Sequence, residues 1–163
     1  MLSNYDIENI CSELNISIHG VFMKDELPRT PLNGHYIVNL ESESEGNGTH
    51  WLSLTIKGLN AYHFDSFGAL PNQEVINFCK KGHCRLGYNS FQIQNYNSEL
   101  CGWYCIANIF VIQKSGLADI YKSANLFSNL FSSNTLANAN ILKRFYKTYC
   151  PFIKELNKLN NAK

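Results

Sequence analysis

The chain has 163 residues and a mass of 18.6 kDa, which is the size of one ordinary globular domain. Hydrophobic residues make up 45% and charged residues 17%, so a core can form, and a disordered or fibrous chain is excluded. The formal net charge of +1 excludes a global basic field for nucleic acid, but residues 1–100 carry 11 acidic and 6 basic groups while residues 101–163 carry 2 and 8.

The first predicted element is a helix over residues 4–15. Its apolar side chains recur at helical spacing, and Ser3 and Asp6 are spaced as a capping pair. Residues 16–34 contain two prolines and are predicted as a loop. No internal repeat or flexible linker divides the sequence, so residues 1–163 are predicted to form a single domain.

Apolar, β-branched segments follow and are predicted as strands. Residues 35–40 and 50–56 are the first two, and residues 61–67 follow the second after a short turn, which predicts a hairpin. Residues 72–81 are predicted as a helix that begins after a proline, and residues 91–96 as another strand.

The C-terminal third is predicted to be largely helical. Residues 101–116 are apolar on nearly all sides and end at a glycine, as expected of a buried helix. The polar stretch 123–140 leads into a predicted helix over 141–159, which Pro151 should break or kink. The order of helix, strands, buried helix and terminal helices predicts an α+β fold.

The redox state of the cysteines bears on function. The N-terminal sequence is acidic where a secretory signal needs positive charge and an apolar run, and no stretch reaches the roughly 18 apolar residues that cross a membrane. We therefore expect reduced thiols in a cytosol-like compartment, where one of them can serve as a nucleophile. The six cysteines are Cys11, Cys79, Cys84, Cys101, Cys105 and Cys150.

Cys101 is the candidate nucleophile. It begins the predicted buried helix, where unpaired backbone N–H groups and a partial positive charge favour the thiolate over the thiol. A backbone N–H at this position also suits an oxyanion. The alternative interpretation is a buried core cysteine, which is what most free cysteines are.

His50 and Asp65 are the candidate partners of this thiol. His50 begins a predicted strand, its imidazole can take the thiol proton, and the neighbouring Trp51 could shelter or stack on that ring. The predicted hairpin brings Asp65 to the end where His50 begins, so its carboxylate could hold the second ring nitrogen. The alternatives are a surface histidine and a turn aspartate.

Gln94 is the fourth candidate. It lies at the end of a predicted strand, seven residues before Cys101, and its amide N–H can donate to the negative oxygen of a tetrahedral intermediate. The alternative is a solvent-facing strand glutamine. Each of the four candidates is weak evidence by itself, and the stronger evidence is their order and spacing.

That order resembles the adenain family of adenovirus maturation proteases, the viral branch of a cysteine-protease clan that also contains SUMO-deconjugating enzymes. The matching motifs are His-Trp, then Phe-Asp-x-Phe-Gly, then Gln-Asn-x-Asn-Ser-x-x-Cys-Gly. Residues 20–28, 36–51 and 144–156 are similar to the family's early loop, the strand before its catalytic histidine and its last helix. The resemblance therefore extends over most of the chain.

The resemblance implies a fold and a site. The fold is α+β, with a central mixed sheet flanked by helices and the nucleophile at the N-terminus of a buried helix. Cys101 corresponds to the nucleophile, His50 to the general base and Asp65 to the acidic residue that orients the base. Gln94 corresponds to the oxyanion glutamine, and the Cys101 N–H would be the partner donor.

The resemblance also implies an activity, that of a viral cysteine endopeptidase that processes capsid or other virion precursor proteins at Gly-containing sites. The seven-residue spacing of Gln94 and Cys101 favours this viral branch, because the spacing is usually shorter in the deconjugating enzymes. Two alternatives stay open: a protease that removes a ubiquitin-like modifier, and a catalytically silent binding module. The near-neutral charge and dispersed asparagines suggest a virophage or polinton-like virus, with the protein in the host cytoplasm or virus factory and in the virion.

Few cofactors and partners are expected beyond the substrate. The adenovirus enzymes are strongly basic and are stimulated by viral DNA and by a peptide that can form a disulfide with a cysteine of the enzyme. Here the near-zero net charge argues against activation by DNA. Cys84 lies near the position of the disulfide-forming cysteine but out of register with it. The basic C-terminal residues are interpreted as a solvated helix face. Cys79, His83 and Cys84 lack a fourth ligand, so no metal site is predicted. We expect a monomer that requires no cofactor and binds no membrane.

Overall fold

The computed structural model describes residues 1–46 and 49–163. Asn47 and Gly48, which belong to the segment 36–51 that resembles the strand before the catalytic histidine, lie outside the described residues. In chain order the elements are α1 (Asn4–Glu13), β1 (Ile18–Met23), β2 (Gly34–Asn39), β3 (Trp51–Lys57), β4 (Asn60–Phe64), α2 (Gln73–Lys81), β5 (Arg85–Tyr88), α3 (Cys101–Lys114), α4 (Ile120–Ser128), α5 (Thr135–Tyr149) and α6 (Leu156–Asn161).

The five strands in the described part of the chain form one mixed sheet in the order β1-β2-β3-β4-β5. The central pairs β2–β3 and β3–β4 are antiparallel, whereas the outer pairs β1–β2 and β4–β5 are parallel. Helices α1, α3, α4 and α5 supply the core on one face, and α2 packs on the other. The expected α+β fold with a central mixed sheet flanked by helices is confirmed.

Strand β3 lies at the centre of the sheet, and α3 runs beside it in the same direction. The Cys105 thiol donates to the Trp51 carbonyl at 3.2 Å, and farther along both elements the Ser53 hydroxyl donates to Asn108 Oδ1 at 3.3 Å. Residues Trp51 to Ile56 are all buried, as expected of a strand that is covered on both faces. The N-terminus of α3 therefore lies beside the start of β3.

The predicted hairpin is confirmed as the antiparallel pair β3–β4. Its register runs from Lys57 opposite Asn60 to Ser53 opposite Phe64, and the turn contains Gly58 at a φ of 61°. This register sets the residue before β3 and the residue after β4 at the same end of the sheet. These two residues are the candidates His50 and Asp65.

The first helix begins at the predicted capping pair. The Asp6 N–H donates to Ser3 Oγ at 3.2 Å, and the Ser3 N–H donates to Asp6 Oδ2 at 3.0 Å, which is a complete capping box. The buried residues Ile7, Ile10 and Cys11 fix α1 against the core beside α3. Here the periodicity and the cap predicted the same element.

Two predictions of secondary structure were wrong, one of a loop and one of a strand. Residues 16–34 are not all loop, because β1 lies within them; it is a half-exposed edge strand with an irregular register, so it lacks a clear alternating pattern. Residues 91–96 are not a strand, and the N–H groups of Ile93 and Gln94 both donate to the Ser66 carbonyl instead. The last strand is β5, a four-residue edge strand too short to show a period.

The polar stretch 123–140 contains more helix than its composition suggested. Asp119 caps α4 by accepting from the N–H groups of Tyr121 and Lys122, and buried small and apolar residues recur along the helix at helical spacing. Asn134 caps α5 in the same way through Ala137 N–H. Asparagine and serine thus serve here as caps and buried small residues within helices.

The C-terminal prediction is confirmed in outline. Helix α5 ends at Tyr149, two residues before Pro151, and a turn separates it from the short α6. Within the described part of the chain, no helix has the length and apolarity needed to span a membrane.

Candidate active site

The candidate nucleophile Cys101 is the first residue of α3, and its side chain is 2% exposed. The preceding residue, Leu100, occupies the N-cap position, and its side chain has no acceptor for the N–H groups of the first turn. Those N–H groups and the helix dipole therefore act on the position of the thiol itself. The predicted location of Cys101 at the start of a buried helix is confirmed.

Gly102 allows tight packing at this helix start. A Cβ atom at residue 102 would lie 3.3 Å from side-chain carbons of both Leu2 and Trp51. The Trp51 indole N–H donates to the Leu2 carbonyl at 2.9 Å, so the indole is fixed against the start of α3. Among the described residues, the ring that stacks on the His50 imidazole is that of Phe67, and the suggested stacking of Trp51 is not seen.

His50 and Asp65 form a buried pair. His50 Nε2 lies 2.7 Å from Asp65 Oδ1, and the two side chains are 8% and 2% exposed. The same carboxylate oxygen accepts from the Phe67 N–H at 2.8 Å. Asn89 holds the Asp65 backbone from both sides, since it accepts from the Asp65 N–H at 2.9 Å and donates to its carbonyl at 2.6 Å. The carboxylate is therefore fixed against the imidazole.

The imidazole of His50 is held between Asp65 and Cys101. Asp65 occupies Nε2, so Nδ1 is the ring nitrogen that remains for Cys101, whose side chain interacts with the same imidazole. Burial lowers the pKa of His50, but hydrogen bonds and charge interactions with Asp65 and Cys101 outweigh it and raise the pKa to about 9. The ring also stacks on Phe67, with centroids 4.3 Å apart and an interplanar angle of 14°.

Gln94 is fully buried in a loop and not at the end of a strand. Its Oε1 accepts from the Ser66 hydroxyl at 2.6 Å, and its Nε2 donates to the Ser98 carbonyl at 2.7 Å. Ser98 lies three residues before Cys101, so the amide is held against the loop that leads into α3. A primary amide carries two N–H donors, and the Ser98 carbonyl uses one of them.

At Gly68 the loop that follows Asp65 comes very close to the loop that carries Gln94. The φ of Gly68 is 73°, and a Cβ atom there would lie 2.6 Å from the backbone carbonyl carbon of Phe91. The Gly68 N–H donates to the Asp65 carbonyl at 2.8 Å, which closes the turn after β4. A glycine is therefore required by both backbone conformation and space.

Three contributors to this arrangement were absent from the predicted site, namely Ser66, Phe67 and Asn89. Ser66 and Phe67 follow Asp65 directly, so their place in the matching Phe-Asp-x-Phe-Gly motif was a signal of position but not of contact. Asn89 lies in a loop 24 residues after Asp65, and no motif or period marks it. Its contact depends on how the loop after β5 returns to the end of β4.

Cys84 lies apart from this cluster. It precedes β5, whose first residue pairs with Asn60 at the start of β4, whereas Asp65 follows the other end of that strand. Its half-buried thiol contacts the Gly82 carbonyl at 3.6 Å, and burial raises the pKa of the thiol. Whether an activating peptide binds at Cys84 stays a prediction.

Among residues 1–46 and 49–163, no three His, Cys, Asp or Glu side chains are grouped to hold a metal ion.

The other buried thiols differ from Cys101 in what surrounds them. Burial raises the pKa of Cys11 and Cys79 to about 12 and that of Cys150 to about 11, and it raises the pKa of Cys105 as well. Such thiols stay protonated near neutral pH and behave as small apolar side chains. The thiol placed beside an imidazole is that of Cys101.

No protein family model matches the chain, and no curated protein matches its sequence. Among solved structures, the crystal structure of the ASFV pS273R protease is similar, with 17% sequence identity and a TM-score of 0.33. The match covers 78% of this chain and 53% of that protease, so the chain spans about half of the protease's length. A TM-score this low supports no argument about function, and the interpretation of the site depends on its own geometry.

Proposed function

We propose that the protein is a cysteine endopeptidase in which Cys101 is the nucleophile. The observation that carries this proposal is the buried hydrogen bond between His50 Nε2 and Asp65 Oδ1, in an imidazole with which the Cys101 side chain also interacts. A nucleophile, a base and a group that orients the base are thereby arranged in the order that acyl transfer requires.

In the proposed reaction, His50 Nδ1 takes the thiol proton and the Cys101 sulfur forms a bond to the substrate carbonyl carbon. The carbonyl oxygen becomes an oxyanion, to which the Cys101 N–H and the second N–H of Gln94 donate. The C–N bond then breaks, and the imidazolium gives its proton to the leaving amine. A water molecule, deprotonated by His50, attacks the thioester and releases the acid and the thiol.

Asp65 and Ser66 have positioning roles in this scheme. The carboxylate fixes the imidazole ring and stabilises its protonated form, which agrees with a His50 pKa raised to about 9. The Ser66 hydroxyl donates to Gln94 Oε1 and so directs the amide N–H₂ away from itself. Both groups are fully or almost fully buried, which keeps water from competing for these hydrogen bonds.

For the substrate, we propose a capsid or other virion precursor protein that is cut at a Gly-containing site in an infected host cell. This finer proposal is supported by the order of the His-Trp, Phe-Asp-x-Phe-Gly and Gln-to-Cys motifs and by the seven-residue spacing of Gln94 and Cys101.

The proposal is tested with purified wild-type protein and Cys101→Ala on two substrate sets, Gly-containing peptides and fluorogenic ubiquitin-like proteins, with cleavage read by mass spectrometry and fluorescence. We expect wild-type protein to cut the peptides and Cys101→Ala to cut nothing while it unfolds at the same temperature. Cleavage by Cys101→Ala would reject the nucleophile. Cleavage of the ubiquitin-like substrates alone would keep the chemistry and replace the substrate.

A further inference from the structure

An open apolar groove lies between three helices at some distance from the candidate active site. It has a volume of about 490 Å³. Helix α3 supplies its floor, and helices α4 and α5 supply its two sides. The apolar residues that line it are Phe110, Val111, Leu126, Leu130, Phe145 and Tyr149.

The groove exposes part of α3, a helix that is otherwise largely buried. Most of this helix is fully buried, but Phe110 and Val111 are half-buried because their outer surfaces open into the groove. The groove's sides are more exposed still, with Leu126 at 49% and Tyr149 at 61%. Contiguous apolar surface of this kind is energetically costly to leave in water and typically marks an interaction site.

The edge of the groove is basic. Lys114 lines it and lies over the Phe110 ring at 5.9 Å from the centroid, and Lys122 is exposed one helical turn before Leu126 on the same stripe of α4. Neither lysine forms an ion pair with a residue in the described ranges. The nearby Asp119 is engaged as the cap of α4. The groove thus combines apolar walls with nearby lysines that form no ion pair with a described residue.

We propose that this groove binds an acidic amphipathic α-helix of a partner protein. Such a helix presents apolar side chains at positions i, i+3, i+4 and i+7, which fill a trough between two helices, and its flanking carboxylates would pair with Lys114 and Lys122. The uneven charge of the chain, with 8 basic and 2 acidic residues after residue 100, favours an acidic partner in general.

Other occupants fit these observations less well. A second copy of this chain bound through the same groove would set lysines against lysines, which is repulsive. Nucleic acid would gain from the lysines but has no apolar groups to bury against the helical walls. A membrane surface is flat and does not enter a concave groove between helices.

The groove is separate from the proposed chemistry. Phe110 is nine residues beyond Cys101 on α3, a distance of about 14 Å along the helix axis. A helix bound there would contact the element that begins with Cys101 without touching the thiol. The proposal concerns binding alone, so it can fail or succeed independently of catalysis.

A peptide-display selection tests this proposal. Random peptides of about 18 residues, which is about five helical turns, are selected on the wild-type protein and counter-selected on the Leu126→Glu/Leu130→Glu variant. We expect enrichment of peptides with an apolar stripe at helical spacing and several acidic residues. Their affinity, measured by fluorescence anisotropy, should fall at least about tenfold with Leu126→Glu/Leu130→Glu and with Lys114→Glu/Lys122→Glu.

Matched variants control for nonspecific effects. Leu70→Glu changes a leucine of 70% exposure in the loop before α2, and Lys147→Glu changes an exposed lysine on α5 away from the groove; both should bind the peptides as wild type does. Circular dichroism should show that all variants are folded, because every changed side chain is exposed.

Several results would overturn the proposal. One is the absence of any peptide that prefers wild-type protein to the counter-selection variant. Another is enrichment of neutral or basic peptides, or equal loss of binding with Leu70→Glu. Displacement of bound peptide by duplex DNA or by anionic vesicles, or a monomer–dimer equilibrium abolished by Leu126→Glu/Leu130→Glu in sedimentation, would assign the groove to a different occupant.

Discussion

The two ends of α3 are built on opposite principles. At its N-terminus the side chains are polar, buried and held by specific hydrogen bonds, as between His50 and Asp65 at 2.7 Å and between Ser66 and Gln94 at 2.6 Å. In its C-terminal half the surrounding side chains are apolar and partly open to solvent. The first arrangement is complete within the chain and suits a reaction, whereas the second lacks a partner and suits binding.

The largest expected effect is that of a substitution at the polar, N-terminal end of α3. Asp65→Asn should lower kcat/KM on a Gly-containing peptide by about 10³–10⁴-fold, because the carboxylate no longer fixes the imidazole or stabilises its protonated form. The His50 pKa, raised to about 9 in the wild type, should fall, so the alkaline limb of the pH–rate profile should move to lower pH. Steady-state kinetics between pH 5 and 10 provide the measurement.

The matched change at the apolar end is Leu126→Glu. It should leave kcat/KM on a short peptide within about twofold of the wild type, since Leu126 is exposed and lies on a different helix from Cys101. An unchanged pH profile in Asp65→Asn, or a loss of peptide hydrolysis in Leu126→Glu, would remove the functional division between the two ends.

A smaller effect concerns the orientation of Gln94. Gln94→Ala should reduce kcat by about 10²–10³-fold with little change in KM, because an oxyanion donor acts mainly in the transition state. Ser66→Ala should reduce kcat by about tenfold, since the amide loses the hydroxyl that fixes its orientation. Ser66→Thr keeps the hydroxyl and should recover part of this loss.

Ser98→Ala is the matched control for these two variants. Gln94 Nε2 donates to the Ser98 carbonyl and not to its hydroxyl, and that hydroxyl has no hydrogen-bond partner among the described residues. Alanine should therefore leave kcat unchanged. A loss of activity in Ser98→Ala equal to that in Ser66→Ala would show that the loop responds to any substitution, and the positioning role of Ser66 would be rejected.

The contrast between the ends also explains what could be predicted from the sequence. His50 and Asp65 could be paired in advance because a short turn fixes the register of the β3–β4 hairpin, and the polar motifs have a recognisable spacing. Ser66 and Asn89 act through contacts between loops, which no local period encodes. The same is true of the groove, because its existence depends on how α4 and α5 pack on α3.

The wrong strand predictions have a related cause. Strands β1 and β5 lie at the sheet edges and are half-exposed, so their sequences show no consistent burial pattern. Residues 91–96 have strand-like composition, yet their backbone is used to bind the Ser66 carbonyl and to place Gln94. In these residues the hydrogen bonds to Ser66 therefore outweigh the local strand propensity.

Stability of the polar end should depend on Gly68. Gly68→Ala should lower the free energy of unfolding by about 2–4 kcal/mol, because it combines backbone strain with a contact of 2.6 Å to the Phe91 backbone. Gly58→Ala is the matched control: its φ is 61° and a Cβ atom there meets no atom of a described residue within 4 Å, so strain alone should cost about 1 kcal/mol. Urea unfolding measures both, and equal losses would refute the steric part of this explanation.

The smallest expected effect concerns His63, a second histidine at the polar end. Burial lowers the pKa of His63 to about 4, and the smaller charge interactions with Asp65 and His50 act in opposite directions. Neither ring nitrogen forms a hydrogen bond with a described residue. Because the folded-state pKa lies below that of the unfolded chain, protons bind the unfolded chain more readily, and this residue's contribution to stability falls as the pH drops from about 6.5 toward 4. His50 acts in the opposite direction, since its raised pKa gives stability that is lost as the pH rises from about 6.5 toward 9.

His63→Leu should therefore raise the free energy of unfolding by about 1 kcal/mol at pH 7 and by more at pH 4.5, as the unpaired buried imidazole is removed. His35 is the control for the missing hydrogen bonds of His63. Burial and the charge of His19 lower the pKa of His35 to about 4 as well, but its Nδ1 lies 2.8 Å from Thr55 Oγ1. His35→Leu should flatten the acid limb yet lose stability at pH 7. Urea unfolding from pH 4.5 to 9 distinguishes the two variants, and an unchanged acid limb in both would mean that acid sensitivity arises in groups other than the His63 and His35 imidazoles.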